Sequence, residues 1–417
     1  GQQLKTSRPG LGYAYRMRTN RPLIAILLCL CLTSVCTASP ALHTQVLTVT
    51  GKSWPVAVPE GLQLELLTDK LEAPRLMEFL PNGVLLVGSR SGKVFRLEPP
   101  YTQASVLVEL EDYPHSLAYR EGELLIAQTD GLYRAAFTPN KTSIDWNDVE
   151  LLAPLPGGGG HSSRTVAIGP DGRVYAALGI SGNCSNEYLE PSYPFNDRRG
   201  GVLVLDESGT DAHWQTYAAG LRNPVGFDWH PVTNTLYASN NGPDHLGYDQ
   251  PPEYFSRLTP GSFHGMPWYQ FNGEQIQRDD CIGVSPPRPA SEVTPPVATF
   301  PARNAPMGVA FIPDTTLGSQ FRHNAIVALK GSWGTQPSGG MFGKKSTRRP
   351  PALVMVEFND GKAGRVHAFV TGFQQASGER LARPVGVSIG PDGYLYFTSD
   401  SHTQGLFRLR PVPLSRP

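Results

Sequence analysis

At 417 residues the chain is long enough to bury a large core, and length alone does not choose between two or three domains and one large all-β unit. Its 44 glycines and 39 prolines, a charged fraction of 17%, and the lack of a long amphipathic helical pattern favour many short strands joined by turns. Lys plus Arg equals Asp plus Glu at 36 each, which removes the electrostatic case for nucleic acid or an anionic membrane as partner and leaves small molecules.

The first element is a targeting segment. Met17-Arg18-Thr19-Asn20-Arg21 is a basic start, and Leu23 to Leu32 is an apolar stretch too short to span a bilayer comfortably, the pattern of a secretory signal. Residues Gly1 to Arg16 precede Met17, read as the initiator, and the small residues from Ala38 to Ala41 suit cleavage. Residues 1–41 are therefore upstream sequence and signal, and 42–417 a single domain. Its expected location is periplasmic or secreted, with no stable membrane span after cleavage. A lipid anchor at Cys36 fits poorly, because Thr33-Ser34-Val35 is not the usual attachment context. With Cys29, Cys31 and Cys36 in or beside the signal, Cys184 and Cys281 remain. They could form one disulfide in an oxidising compartment, although the sequence does not set the distance between them. Neither belongs to a CxxC or CxxCH pattern, so spacing offers no support for zinc or covalently bound haem.

Beyond an extended segment, Leu62 to Thr68, a unit of apolar strand, turn, apolar strand, glycine and third strand recurs. It begins at Pro74 (PRLMEFLPNGVLLVGSRSGKVFRL), His115 (HSLAYREGELLIAQTDGLYRAAF), Arg164, Asn223 (NPVGFDWHPVTNTLYASNNGPD), Pro306 (PMGVAFIPDT) and Arg383 (RPVGVSIGPDGYLYFTSD). None of these units can bury both faces alone. Packing them radially gives an all-β, six-bladed β-propeller of four-stranded antiparallel sheets, with Leu62 to Thr68 completing the last blade. The largest insertions, Gln270 to Arg303 and Gly334 to Pro350, are expected to decorate one face.

The polar residues of these units fall in register. Counted back from the proline of each turn, His161 and Arg222 share one position, Asn223 and Arg383 a second, Arg75 and Arg164 a third. Lys330 and Asn240 both end a second strand. First strands of a propeller converge on its axis, so these residues form a polar ring around the channel. Arginines at strand ends commonly serve solvent or neighbouring carbonyls, the structural reading for Arg75 and Arg164. Several cations on one axis repel one another unless an anion compensates them, so Arg222, Lys330 and Arg383 together point to a polyanionic ligand. His161 follows four glycines that permit close approach to a ligand. The loop Asn240 to Asp249, NNGPDHLGYD, offers carbonyls and carboxylates to a hard cation such as calcium, or is an ordinary turn. GGGG lacks the helix of a phosphate loop, and GKKS from Gly343 lacks the Gly-Lys-Ser/Thr adjacency. Asn140-Lys141-Thr142 is a glycosylation triplet with meaning only in a eukaryotic secretory host.

Five stretches, HSSRTVAIGPDGRVYAALG, GLRNPVGFDWHP, NNGPDHLGYDQPPEYF, ALKGSW and RPVGVSIGPDGYLYFTSD, occur in an order that resembles the soluble quinoprotein glucose and sorbosone dehydrogenases, and most of all the sorbosone dehydrogenase-like branch. The resemblance covers nearly the whole mature chain. It implies a six-bladed propeller using pyrroloquinoline quinone (PQQ) and calcium to oxidise an aldose, sugar aldehyde or polyol. By the same resemblance His161 is the base that takes the hydroxyl proton while hydride passes to C5 of the quinone. Arg222 polarises the quinone oxygens and binds the cofactor with Asn223. Lys330 and Arg383 pair with its carboxylates, Arg75 is a weaker match of the same kind, and the carbonyls of Gly242 and Pro243 are calcium ligands. No haem domain is fused, so the electrons would pass to a separate acceptor. The chain departs from the glucose dehydrogenase pattern at Gly160 and Ile180, where acidic residues are expected, which leaves the sugar site open; His115 is a candidate contributor. The competing readings are a non-catalytic propeller that binds a carbohydrate or protein, and a propeller lactonase, whose central carboxylate cage these registers do not supply.

Overall fold

The computed structural model describes residues 38–314 and 317–412. Met17, Leu23 to Leu32, Cys29, Cys31 and Cys36, read from the sequence as signal, lie outside the described residues. A compact unit begins at Ser39, and its sheets form a six-bladed propeller. Its first strands are Pro74–Phe79, Ser116–Arg120, Arg164–Ile168, Phe227–Trp229, Pro306–Phe311 and Ala382–Ile389. The sixth blade is closed by the N-terminal strand Leu62–Thr68, which pairs antiparallel with the end of Leu395–Pro411. Glu65 bridges Arg408 and Arg410 across this seam at 2.7 and 2.6 Å.

The recurrent turns have a local cause. In the third and sixth units Asp171 and Asp392 each accept from the backbone N–H two residues on, at 3.1 and 3.0 Å, and Gly172 and Gly393 take φ of +76° and +77°. The second oxygen of each aspartate accepts from a tyrosine hydroxyl on the following strand, Tyr175 at 2.7 Å and Tyr396 at 2.6 Å. The PDG signal thus fixes both the reversal and its pairing with the strand that follows.

Close to the axis, space is short. A Cβ at Gly226 would lie 2.1 Å from the Met307 carbonyl oxygen, at Gly308 2.6 Å from that of Val385, and at Gly386 2.5 Å from that of Arg75. Hydroxyls cross the same seams, Ser239 Oγ donating to Met307 O at 2.6 Å and Thr398 Oγ1 to Arg75 O at 2.5 Å. Farther out, apolar layers separate the blades. Phe397 and Phe407 stack with centroids 4.8 Å apart, and Tyr237, Phe255, Phe311 and Phe358 fill the space between the fourth and fifth blades.

Three features were not anticipated. A hairpin, Leu42–Val49 with Lys52–Pro59, precedes the propeller and buries Trp54, Val56 and Val58 against the fifth and sixth blades. Its Ala57 exchanges backbone hydrogen bonds with Thr371 at 2.9 and 3.0 Å. The third sheet gains a fifth strand, Ser262–Phe263, which pairs parallel with Ala218 and Ala219, so that sheet is neither four-stranded nor wholly antiparallel. The insertion after Gln270 holds the second strand of a small hairpin, Tyr269–Phe271 with Ile276–Arg278, and then the last strand of the fourth blade, Ala298–Phe300. Among the described residues no helix is long and apolar enough to cross a membrane.

Candidate active site

The Gly157–Gly160 loop is fixed by two buried arginines. Arg199 donates from Nε to Gly179 O at 2.8 Å, from Nη1 to Gly157 O and Gly159 O at 3.2 Å each, and from Nη2 to His161 O at 3.0 Å. Arg164 donates from Nη1 to His161 O and from Nη2 to Pro156 O, both at 2.7 Å. Arg164 is thus a structural clamp, the simpler of its two readings. Arg199 is its unforeseen partner.

The loop presents His161 with its Nδ1 2.5 Å from the carbonyl oxygen of Ile180. Ile180 N donates to Arg222 O at 2.8 Å, so one residue, through its C=O and its N–H, ties the histidine to the fourth blade. With Nδ1–H on that carbonyl, Nε2 keeps the lone pair. Burial, then the charges of Arg222, Arg199 and Arg164, push the His161 pKa down to about 4 against the pull of the Ile180 carbonyl, so the ring is neutral at neutral pH. Gly179 leaves the room this needs: a Cβ there would lie 2.6 Å from Asn223 Oδ1 and 2.7 Å from His161 Cβ. Gly160 also has a steric reason. It has φ +83°, and a Cβ would fall 1.6 Å from Ser181 O, so an acidic side chain cannot stand there in this backbone.

A second group centres on Asp400. Its Oδ2 accepts from Arg75 Nη1 at 2.6 Å and from Lys330 Nζ at 2.7 Å, with the Arg75, Lys330 and Asp400 side chains 4%, 14% and 3% exposed. Arg383 donates to Lys330 O and Gly331 O at 2.9 and 2.8 Å. Burial together with Arg75 and Arg383 depresses Lys330 to about pH 7 despite Asp400. Asp400 is held at about 2 because Arg75 and Lys330 outweigh the burial that would raise it. Arg75 also reaches His115 Nδ1 at 3.2 Å and Ser163 Oγ at 3.3 Å, and Tyr113 OH lies 3.1 Å from the same histidine nitrogen. His115 is fully buried, and burial first and Arg75 next drive its pKa far down.

Pairing also corrects one register. Phe227 pairs with Ala238, Val309 with Val327 and Val387 with Phe397, which aligns Lys330 with Asn241 and Asp400, three residues beyond each pair, and not with Asn240. Counted from its turn proline Asp400 falls with Asn240, but the fourth unit's turn is one residue longer, so the pairing sets Asp400 against Asn241.

The loop after Asn240 is braced from below. Gly242 N donates to Glu253 Oε2 at 2.6 Å, and burial raises that carboxyl to about 8. Asn183 accepts from Arg222 Nε at its carbonyl, 3.0 Å, and from Arg222 Nη2 and Asp244 N at its Oδ1, 3.1 and 2.7 Å. Gly242 and Pro243 are buried, and no described residue donates to their carbonyls. Cys184 and Cys281 form a disulfide beside this loop, with Cα atoms 6.1 Å apart. A cleft of about 600 Å³ between the N-terminal hairpin and the sixth blade, lined by Trp54, Arg380 and His402, includes none of these residues.

The TrAA12-like family profile matches residues 56–261 and 273–410. The chain belongs to that family. This TrAA12-like protein is 25% identical over 357 residues to an uncharacterised protein of Borreliella burgdorferi, across 82% of the chain and 88% of the relative. Its fold is similar to a calcium structure of the Trichoderma reesei carbohydrate-active enzyme of family AA12, with TM-score 0.72 and 18% identity over 88% of this chain and 99% of the other. It is also similar to the holo PQQ domain of Coprinopsis cinerea pyranose dehydrogenase, with TM-score 0.67 and 18% identity over 86% and 97%. In this TrAA12-like chain the fold brings Arg75, Lys330 and Arg383 into one cluster, and His161, Arg222 and Asn223 into another. Ser163, two residues after His161, contacts Arg75 and so joins them.

Proposed function

We propose that the protein is a PQQ- and calcium-dependent dehydrogenase that oxidises an aldose, sugar aldehyde or polyol, with His161 as general base. The observation that carries this reading is the excess of buried positive charge. Arg75, Lys330, Arg383 and Arg222 gather here, the Asp400 carboxylate bridges two of them, Asp244 and Glu253 act on Arg222, and burial with Arg75 and Arg383 depresses Lys330 despite Asp400. A polycarboxylate fits that excess. The buried carbonyls of Gly242 and Pro243 fit a hard cation.

In this reading Lys330, Arg383 and Arg75 hold the cofactor's carboxylates, Arg222 and Asn223 its quinone edge, and Gly242 and Pro243 the calcium. PQQ, when bound, supplies an electrophilic quinone that accepts hydride, and calcium draws electron density from it. The chain's own work is proton transfer and orientation. Ile180 fixes the imidazole through Nδ1, and Nε2 takes the hydroxyl proton of the substrate. An anion beside Arg222 would offset the charge that depresses the histidine and make it a stronger base. The sorbosone dehydrogenase-like assignment rests on motif order, and export on the basic and apolar residues of the N-terminal segment.

The test is an equilibrium titration of the purified chain with PQQ in calcium, followed by the cofactor's absorbance. Lys330 is charged below its pKa of about 7, so affinity should fall as pH rises through that value, and Lys330→Met should remove the dependence. Failure to bind PQQ at any pH defeats the proposal.

A further inference from the structure

The loop that carries Gly242 and Pro243 places one more residue, His245, in a setting the proposed chemistry does not use. Its Nδ1 lies 3.4 Å from Cys184 Sγ and 3.4 Å from Asn183 Nδ2, and its Nε2 lies 3.1 Å from Asp279 Oδ1. The Asn183 amide nitrogen can only donate, so Nδ1 carries the lone pair and Nε2–H points to the carboxylate. One ligand atom from each of Cys184, Cys281, His245 and Asp279 lies within 4.8 Å of the others.

We propose that reduction of the Cys184–Cys281 disulfide creates a zinc site, with the two thiolates and His245 Nδ1 as ligands. Asp279 is a positioning residue: its Oδ1 accepts from His245 and from Cys281 N at 3.0 Å, and its Oδ2 from Gln270 Nε2 at 3.1 Å. A buried carboxylate behind a ligating imidazole fixes the ring's tautomer and orientation. Tetrahedral zinc with Zn–S of ~2.3 Å and Zn–N of ~2.0 Å sets a sulfur and a nitrogen ~3.5 Å apart and two sulfurs ~3.8 Å apart. The Cys184–His245 separation of 3.4 Å already matches, and the two sulfurs, bonded in the oxidised form, must part. A dithiol or phosphine reductant supplies the two electrons that break the S–S bond, and zinc then displaces one proton from each thiol. Water takes the fourth position. The spacing of these cysteines along the chain gave no zinc signal, because the fold brings together residues 97 apart.

The site would act on its neighbour. Asn183, adjacent to Cys184, seats Arg222 and the Asp244 N–H. Zinc would restore, in the reduced protein, the link that the disulfide makes in the oxidised one.

The test uses the full chain with Cys29, Cys31 and Cys36 replaced by serine, oxidised or reduced, freed of reductant without air, and equilibrated with zinc or cobalt. Expected are one zinc per reduced chain and none per oxidised chain, a higher melting temperature for the reduced protein with zinc than without, and a sulfur-to-cobalt charge-transfer band with tetrahedral d–d absorption. His245→Ala, which keeps the disulfide as a route to folding, should weaken zinc binding by more than about tenfold, and Asp279→Asn by about 10–100-fold. Equal zinc in both redox states, a cobalt spectrum without the sulfur band, or unchanged affinity in His245→Ala overturns the proposal. So does a reduced chain that loses its strand signal and binds no zinc.

Discussion

The orientation of His161 rests on three neighbours: the Ile180 carbonyl that sets its tautomer, the missing side chain at Gly179, and the Arg199 clamp on its loop. A base must be deprotonated to act, and this one has a pKa of about 4. The kcat/KM profile of the cofactor-loaded enzyme should therefore hold through neutral pH and fall on the acid side, at a pH above that value to the extent that the cofactor's anion offsets Arg222. Arg199→Ala leaves three carbonyls without their donor and His161 O with Arg164 alone, and should cost about 3 kcal/mol of stability, measured by denaturant unfolding, while turnover falls more than PQQ affinity. Asp400 makes a stability prediction with a definite sign. Its folded pKa of about 2 lies below the unfolded value, so its stabilisation is complete above pH ~4 and is lost as pH falls through about 2. Asp400→Asn should lower stability at neutral pH by at least ~2 kcal/mol and flatten that part of the acid limb, as read from melting temperature against pH. At this scale His161, Arg222, Asn223, Lys330 and Arg383 were legible because repeats place like residues at like positions. Asp400 and Arg199 were not: the first is an anion in a ring read for its cations, and the second binds carbonyls that no sequence pattern reveals.

The first strands of the blades are shaped by crowding at the axis, and their glycines are the element's most sensitive positions. Gly226→Ala would drive a methyl group to 2.1 Å from a backbone oxygen of the next blade, where no flexible side chain can yield. The expected cost is about 3 kcal/mol or more, seen as a lower melting temperature, while alanine at the open turn position Gly261, already at φ +78°, should cost only about 1 kcal/mol. Strand, turn and closing strand were readable, since apolar runs, PDG turns and the isolated Leu62–Thr68 each carry a local cause. The N-terminal hairpin lies outside the repeat and had nothing to be compared with. The Ser262–Phe263 strand has two residues and follows from where an insertion lands, not from its own propensity.

For the whole molecule, ring closure and the disulfide act at a distance. The bond joins residues 97 apart, so replacing both cysteines by serine should lower stability by up to about 4 kcal/mol in chemical denaturation, with the blades otherwise intact. Closure brings Arg75 of the first blade and Asp400 of the sixth within 2.6 Å, so the cation cluster exists only in the completed propeller. The central claim is that this cluster holds a quinone against a neutral histidine base. The direct measurement is dye-coupled turnover over a sugar panel for wild-type and His161→Ala protein at equal PQQ occupancy in calcium. The account predicts turnover in the wild type and a loss of about 10²–10⁴-fold in the variant with PQQ affinity nearly unchanged. Undiminished turnover in the variant, or loss of PQQ binding in place of turnover, contradicts it.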